Sequence, residues 1–333
     1  MRTLRTRYIF ILGGMFGLFC GGVLMGLHVE KEKLADFLKG VSPIRNNIPG
    51  YIYTAPLLGL NSPPATELGI YQDVRTAVLA AGNEAKQNGA VSDYGVYYRD
   101  LNTPLWFGVN EDNVFLPASL YKLPVALIIY KEIEDGVADE RATLTYSHAL
   151  YAMNAASAID TPTHLLPGKS YPINNLVTDM LITSDNGAKD LLHPIVRDAY
   201  VARLWTLLNL GSPHPDEEIS VRDYAFFFRL LYSSTYLNVD DSEKILGFLA
   251  SSTYTEGLVA GIPKGTQIAH KWGLSNLEQQ GGNDQLELHD CGIIYATNNP
   301  YLLCVMTKGS SEAVLSSFIS RISSIVYNGQ ISH

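Results

Sequence analysis

Ser119 and Lys122 stand three residues apart at the start of an apolar segment that continues to Ile129. On a helix, that spacing places the two side chains on the same face. A serine hydroxyl is a poor nucleophile at neutral pH and needs a base within hydrogen-bond reach. A lysine can serve when burial or nearby positive charge favours its neutral form. The pair therefore predicts a helix that begins at an active site, with a kink near Pro124, which has no amide to donate to the Leu120 carbonyl.

Two further motifs follow in order, Ser-Asp-Asn at 184–186 and Lys-Trp-Gly at 271–273. With the first pair they resemble the S-x-x-K, S-D-N and K-T-G set of class A β-lactamases and penicillin-binding proteins. The resemblance covers the chain from about Thr66 to the C-terminus. The sequence is therefore similar to the class A β-lactamase-like serine hydrolase family, within the β-lactamase and penicillin-binding protein superfamily.

The resemblance also implies roles for individual residues. It implies a catalytic set of Ser119, Lys122 and Ser184 and a substrate-binding set of Asn186, Lys271, Gly273 and Leu274. Ser184 would pass a proton between Lys122, the leaving group and Lys271. Asn186 would donate to the amide carbonyl of the substrate, and Lys271 would supply positive charge. The oxyanion hole would consist of two backbone N–H groups, those of the nucleophile and of Leu274.

The implied reaction is the formation of an acyl-enzyme on an amide or ester beside a negatively charged group, either a β-lactam or a cell-wall peptide. Trp272 stands where the K-T-G motif carries a hydroxyl residue that helps to hold the β-lactam carboxylate, so β-lactam recognition is expected to differ here. Two alternatives stay open. One is a D,D-peptidase or penicillin-binding protein that acts on cell-wall peptides, and the other is a weakly catalytic binding module at the cell surface.

The second half of such a reaction needs a base for water. Class A enzymes resemble one another in an omega-loop glutamate that activates the deacylating water. The stretch from Asn186 to the helix predicted at Val221 looks too short for a full loop of this kind. Its acidic residues, Asp216–Glu218, better match the N-terminus of the next helix, where Ser220 and Asp223 resemble a capping box. We therefore expect deacylation to be slow.

The order of predicted elements is helix, two strands, a helical block, three strands and a helix. The end helices are expected at 71–88 and 312–326, where apolar positions recur on one face. The strands are expected at 92–98, 104–109, 267–272, 291–296 and 301–307. This pattern by itself predicts an α+β fold. The resemblance implies the finer architecture, an antiparallel five-stranded sheet flanked by helices, plus an all-helical lobe.

The N-terminal part contains a twenty-residue run without charge, about the length that spans a bilayer core. The predicted organisation is a cytoplasmic N-terminus at 1–7, a transmembrane anchor at 8–29, a proline-containing extracytoplasmic linker at 30–65 and the hydrolase domain at 66–333. Three arginines precede the run, which predicts a single-pass protein of the plasma membrane with a cytoplasmic N-terminus. A cleaved signal peptide and a lipid-modified Cys20 are the alternatives. Glycines at four-residue spacing could pair two such helices in a homodimer.

Charge and composition exclude other classes of function. The net charge of -9 at pH 7 argues against a nucleic-acid partner. The eight histidines show no metal-ligand spacing, so neither a metal site nor a cofactor is expected. His270 adjoins Lys271 and could line the cleft or face away from it. Cys291 and Cys304 fall on adjacent predicted strands, where two separate buried thiols are expected rather than a disulfide bridge.

Overall fold

The computed structural model describes residues 44–45, 49–59, 66–67, 71–156, 163–210, 217–277, 285–297 and 299–331. Its α-helices are α1 (Gln72–Gln87), α2 (Lys122–Glu134), α3 (His148–Ala156), α4 (Ile173–Ile182), α5 (Asn186–Leu192), α6 (Asp198–Leu208), α7 (Val221–Tyr232), α8 (Val239–Ala250) and α9 (Glu312–Ile331). Its strands are β1 (Ile44–Arg45), β2 (Leu57–Gly59), β3 (Thr66–Glu67), β4 (Asp93–Asp100), β5 (Leu105–Val109), β6 (Val114–Phe115), β7 (Thr143–Thr145), β8 (Ser170–Pro172), β9 (Ile219–Ser220), β10 (Gln267–Leu277), β11 (Gln285–Tyr295) and β12 (Tyr301–Gly309).

The main sheet has the strand order β10-β11-β12-β4-β5-β3. Its first five strands pair antiparallel, and the two-residue strand β3 adds to β5 in parallel. The predicted α+β fold with an antiparallel five-stranded sheet is therefore confirmed. Strand β11 begins at Gln285, well before the predicted start at 291, and pairs along this first half with β10 and β12. The polar side chains of Glu287, His289 and Asp290 in this half are buried instead of facing solvent.

Helices cover both faces of this sheet. On one face, α1 and α9 pack against the strands, and Val78, Phe318 and Val305 share one buried cluster. On the other face, a lobe of helices encloses α2, in which every residue from Lys122 to Tyr130 is buried. A helix enclosed in this way needs no polar face, which explains its apolar sequence. The 3-10 turn before α2 packs against β10, so the lobe and the sheet meet where the first motif lies.

The predicted single-pass location in the plasma membrane is wrong as far as the structure describes the chain, because none of the described helices is long and apolar enough to cross a bilayer. The longest of them, α9, is amphipathic: it packs one side on the sheet and carries Arg321 on its outer side. The predicted anchor at 8–29, its glycine faces and the predicted cytoplasmic segment at 1–7 lie outside the described residues.

Part of the predicted linker packs against the helical lobe. The carboxylate of Glu243 accepts hydrogen bonds from the backbone N–H groups of Tyr53 and Thr54, at 2.8 and 2.7 Å. The N–H of Ala55 donates to the carbonyl of Tyr232 at 2.9 Å. Thr54 and Ala55 are buried by these contacts, so this part of the chain is attached to the domain.

Cys291 and Cys304 form a disulfide bond between β11 and β12, so the expectation of two separate thiols is wrong. The sheet register places the two residues directly opposite each other. Side chains of such a cross-strand pair project to the same side of the sheet at close range. The two strands could be predicted from the sequence, but the register that joins the cysteines could not.

Candidate active site

Ser119 lies in a 3-10 turn that leads directly into α2. The Oγ atom of Ser119 is 3.0 Å from Nζ of Lys122, so the first motif brings a hydroxyl and an amine into hydrogen-bond contact. Pro124, in the first turn of α2, has no N–H for the carbonyl of Leu120. The buried hydroxyl of Tyr224 donates to that carbonyl at 2.9 Å and so helps to hold the turn.

Lys122 connects the first motif to the second. Its Nζ lies 3.0 Å from Oγ of Ser184, 2.5 Å from the carbonyl oxygen of Ser184 and 2.6 Å from Oδ1 of Asn186. Because Lys122 is buried, these contacts take the place of solvating water. Since Oδ1 of Asn186 accepts from the lysine, the NH₂ end of the same amide is the end that can donate to another group.

The turn of the second motif has a backbone conformation that most residues avoid. Ser184 has a φ of 60°, in the left-handed region that is uncommon outside glycine. The carboxylate of Asp185 holds this turn by accepting from the N–H groups of Ala188, at 3.0 Å, and of His164, at 2.7 Å. Unfavourable backbone of this kind persists where its surroundings fix it, and it concentrates at functional sites.

Lys271 brings the third motif to the same point. Its Nζ donates to Oγ of Ser184 at 2.9 Å and to the carbonyl oxygen of Trp272 at 3.1 Å. The hydroxyl of Ser184 therefore lies between the amines of Lys122 and Lys271. Two ammonium groups this close repel each other, which favours the state in which one of them is neutral.

Gly273 lets β10 approach Ser119. A Cβ atom at this position would lie 2.9 Å from the backbone N of Ser119 and 3.0 Å from that of Leu120. Both distances are shorter than normal contacts, so a side chain here would displace the turn or the strand. The next residue of β10 is Leu274, on an edge strand of the sheet. The backbone of β10 therefore lies directly against the N–H of Ser119.

Consecutive strand residues face opposite sides of a sheet, so His270 and Trp272 leave β10 on the other side from Lys271. Nζ of Lys271 nevertheless lies 5.7 Å from the ring centroid of Trp272. Nδ1 of His270 is 2.8 Å from Oδ1 of Asp290, and the other oxygen of that carboxylate accepts from the N–H of Leu258. Trp272 stacks on Tyr254, with ring centroids 4.3 Å apart. Of the two orientations open for His270, the structure has the one away from the lysine cluster.

Among the acidic residues before α7, Glu218 has a partner other than Ser119. Glu218 lies 3.5 Å from Nζ of Lys308, and Ser220 caps α7 by accepting from the N–H of Asp223 at 3.1 Å. Asp216 lies outside the described residues. In the part of the chain described, no hydrogen bond joins Ser119 to a carboxylate, and no group of three or more His, Cys, Asp or Glu side chains could hold a metal ion.

Two buried side chains near Ser119 escaped the sequence analysis. Glu287 and His289 of β11 both hydrogen-bond to the backbone of Leu116, just before the nucleophile. With Cys291 they alternate along one face of β11. Both residues precede the predicted start of this strand at 291, so nothing in the sequence placed them beside Ser119.

Comparisons with known proteins identify the family of the chain. A model of the β-lactamase enzyme family matches residues 75–330. The chain belongs to this family, and the resemblance to class A β-lactamase-like serine hydrolases is confirmed. Its fold and family are those of a hydrolase of the serine β-lactamase type.

Individual relatives are distant. The extended-spectrum β-lactamase PER-1 of Pseudomonas aeruginosa is 24% identical over 224 residues, which are 62% of this chain and 71% of that enzyme. Among solved structures, PBP-A superposes with a TM-score of 0.67 at 21% identity, over 81% of this chain and 99% of that chain. A β-lactamase from Xanthomonas campestris pv. campestris superposes with a TM-score of 0.64 at 19% identity, over 77% of this chain and 98% of that one. At these identities the structural matches establish the fold alone.

Proposed function

We propose that this protein reacts with β-lactams or related amides by forming an acyl-enzyme on Ser119. The observation that carries the proposal is the continuous set of hydrogen bonds from Ser119 through Lys122 and Ser184 to Lys271. A nucleophile paired with an amine, which is itself bonded to further polar groups, is the arrangement expected of an activated serine.

In the acylation step, Oγ of Ser119 bonds to the substrate carbonyl carbon, and its proton moves to the neutral amine of Lys122. The resulting oxyanion accepts hydrogen bonds from the backbone N–H groups of Ser119 and Leu274. The C–N bond of the substrate then breaks. The leaving nitrogen takes a proton from the hydroxyl of Ser184, which is reprotonated by Lys122, so that the amine becomes neutral again.

Substrate binding is assigned to groups on both sides of this proton pathway. The NH₂ end of Asn186 would donate to an amide carbonyl of the substrate, since its other end accepts from Lys122. Lys271 would add positive charge near an anionic group of the substrate. Trp272 carries no hydroxyl and stacks on Tyr254, so a carboxylate of the substrate would lack the hydroxyl contact of the family motif.

Deacylation is the slow half of the proposed reaction. Hydrolysis of the ester on Ser119 needs a base that positions water, and the carboxylate of Glu218 lies close to Lys308 instead. Among the structural relatives, a variant of PBP-A is known as an acyl-enzyme complex with penicillin-G. A long-lived acyl-enzyme here would place the protein nearer to the penicillin-binding alternative than to an efficient β-lactamase.

The nucleophile can be tested by intact-mass measurement of the full-length protein after mixing with penicillin-G. We expect the protein to gain the mass of one penicillin and Ser119→Ala to gain none. Ser317→Ala, an exposed serine of α9, is the matched control and should label like the unmodified protein. Labelling of Ser119→Ala at the normal rate would refute the assignment.

A further inference from the structure

We propose that Glu287 and His289 are positioning residues that align Ser119 by holding both polar groups of the Leu116 backbone. The N–H of Leu116 donates to Oε2 of Glu287 at 3.0 Å. Its carbonyl oxygen accepts from Nε2 of His289 at 2.9 Å. This inference rests on the proposed acylation of Ser119 and extends it to two residues that do not touch the reacting atoms.

Leu116, which Glu287 and His289 hold, lies close to Ser119 along the chain. Only Pro117 and Ala118 separate Leu116 from Ser119. Ala118 has a φ of 49°, the left-handed conformation that is unfavourable for residues other than glycine. A backbone in this state stays in place only when neighbouring contacts fix it on both sides. The hydrogen bonds of Glu287 and His289 with Leu116 supply that constraint on the N-terminal side of Ala118.

The constraint on the other side comes from the turn itself and from β10. The N–H of Leu120 donates to the carbonyl of Pro117 at 2.9 Å, and Gly273 packs against the backbone N atoms of Ser119 and Leu120. Gly273 pairs with His289 in the sheet. Two residues paired across β10 and β11 therefore contact this segment: His289 contacts the backbone of Leu116, and Gly273 contacts the backbone of Ser119.

The hydrogen bonds of His289 define which of its ring nitrogens carries the proton. The backbone N–H of Thr307 donates to Nδ1 at 3.2 Å, so Nδ1 is an acceptor and Nε2 carries the hydrogen that reaches Leu116. Glu287 is fully buried, and its Oε1 atom lies 2.9 Å from Nζ of Lys308. The ion pair keeps this carboxylate charged, and a charged acceptor forms the stronger bond to an N–H.

The consequence concerns the N–H of Ser119, one of the two proposed oxyanion donors. Loss of the bonds to Leu116 would let the segment 116–118 relax and turn that N–H and the Ser119 hydroxyl away from the substrate. A displacement of about 1 Å at a reacting group can cost about 10²-fold in rate. Binding of substrate, which involves Asn186 and Lys271, would change much less.

Two conservative variants of His289 separate positioning from general stability. His289→Gln can reach Leu116 with its terminal amide, which lies at the distance of Nε2. His289→Asn is shorter and replaces only Nδ1, so it keeps the contact with Thr307 and loses the one with Leu116. Thr307→Val is the control, because it removes a different buried hydrogen bond, to the carbonyl of Leu288, on the adjacent strand.

The experiment measures the acylation rate constant at saturating penicillin-G and the dissociation constant before acylation, with unfolding curves for each variant. We expect His289→Asn to acylate about 10- to 100-fold more slowly with a nearly unchanged dissociation constant. His289→Gln and Thr307→Val should stay within a few-fold of the unmodified protein. Glu287→Leu should resemble His289→Asn, and Glu287→Gln, which keeps an acceptor, should be faster than Glu287→Leu.

Equal acylation by folded His289→Asn and His289→Gln would overturn this inference, and so would a loss that follows stability across all variants, including Thr307→Val. Absence of acylation in the unmodified protein would instead overturn the proposed function. The two failures are distinguished by the unmodified protein alone.

Discussion

Nζ of Lys271 donates a hydrogen bond to Oγ of Ser184 at 2.9 Å, and both side chains are buried. The same hydroxyl lies 3.0 Å from Nζ of Lys122. One hydroxyl is thus shared by two amines that come from different parts of the chain. These contacts connect Ser119, through Lys122 and Ser184, to the edge strand of the sheet. In the proposed reaction the shared hydroxyl is the group through which a proton passes.

Lys122 is expected to be the base for Ser119. Lys122→Met should slow acylation by penicillin about 10²–10⁴-fold, because the serine then has no group to take its proton. Stopped-flow or quenched-mass measurements would give the rate constant. Lys169→Met, at an exposed lysine, is the control. Acylation of Lys122→Met at the normal rate would show that another group removes the proton.

The acyl-enzyme is expected to be long-lived. After a brief reaction with penicillin-G and removal of excess ligand, most of the protein should keep the added mass over many minutes. The reason is that a missing general base costs about 10²–10⁴-fold in rate. Steady-state turnover of a chromogenic β-lactam should be correspondingly poor. A rapid return to the original mass with sustained turnover would mean that a base for water exists.

Gly273→Ala should impair acylation without unfolding the domain. The added Cβ would lie 2.9 Å from the backbone N of Ser119, so the turn that carries Ser119 or strand β10 would have to shift. We expect the rate constant to fall by about 10²-fold. Gly247→Ala in α8 is the matched control, since its Cβ would make an ordinary 3.5 Å contact with Tyr53. The prediction fails if both variants acylate alike.

The disulfide should stabilise the fold. Replacing Cys291 and Cys304 together by alanine should lower the free energy of unfolding by about 2–4 kcal/mol, chiefly because the cross-link restricts the unfolded chain. Urea unfolding with and without reductant would measure the difference. Once its disulfide has been reduced in the unfolded state, the unmodified protein should have the same free energy of unfolding as the variant. Equal midpoints under oxidising conditions would contradict the prediction.

Glu287 should contribute to stability in a pH-dependent way. Burial acts to raise the pKa of Glu287, but hydrogen bonding from His289 and the hydrogen bond and positive charge of Lys308 outweigh it and leave the pKa below its ordinary value of 4.5. A lowered folded-state pKa means that the contribution is complete above about 4.5 and is lost as the pH falls through the folded value.

The corresponding measurement is the free energy of unfolding of the unmodified protein and of Glu287→Gln between pH 7 and pH 3. The difference between the two should be largest near neutrality and shrink at acid pH. Glu312→Gln, at an exposed residue of α9, should show no such change. A difference that stays constant over the whole range would refute the prediction.

Local patterns in the sequence predicted the elements that depend on neighbours along the chain. The spacing of Ser119 and Lys122 placed a hydroxyl beside an amine, and the apolar periodicity of 71–88 and 312–326 placed two helices on the sheet. Two of the wrong predictions have different causes. Buried polar side chains concealed the first half of β11, and the pairing of Cys291 with Cys304 depends on strand register, which periodicity does not contain.

The sequence by itself determined that the chain folds into an α+β domain and which residues could supply a nucleophile, an amine and a positive charge. Only the tertiary structure decided that Ser119, Ser184 and Lys271 meet, that His270 turns away and that Glu287 and His289 hold Leu116. The physical reason is the range of the interactions. Helix and strand preferences act between residues a few positions apart. The contacts that align this site join residues far apart in sequence, and they form only when the lobe and the sheet pack together.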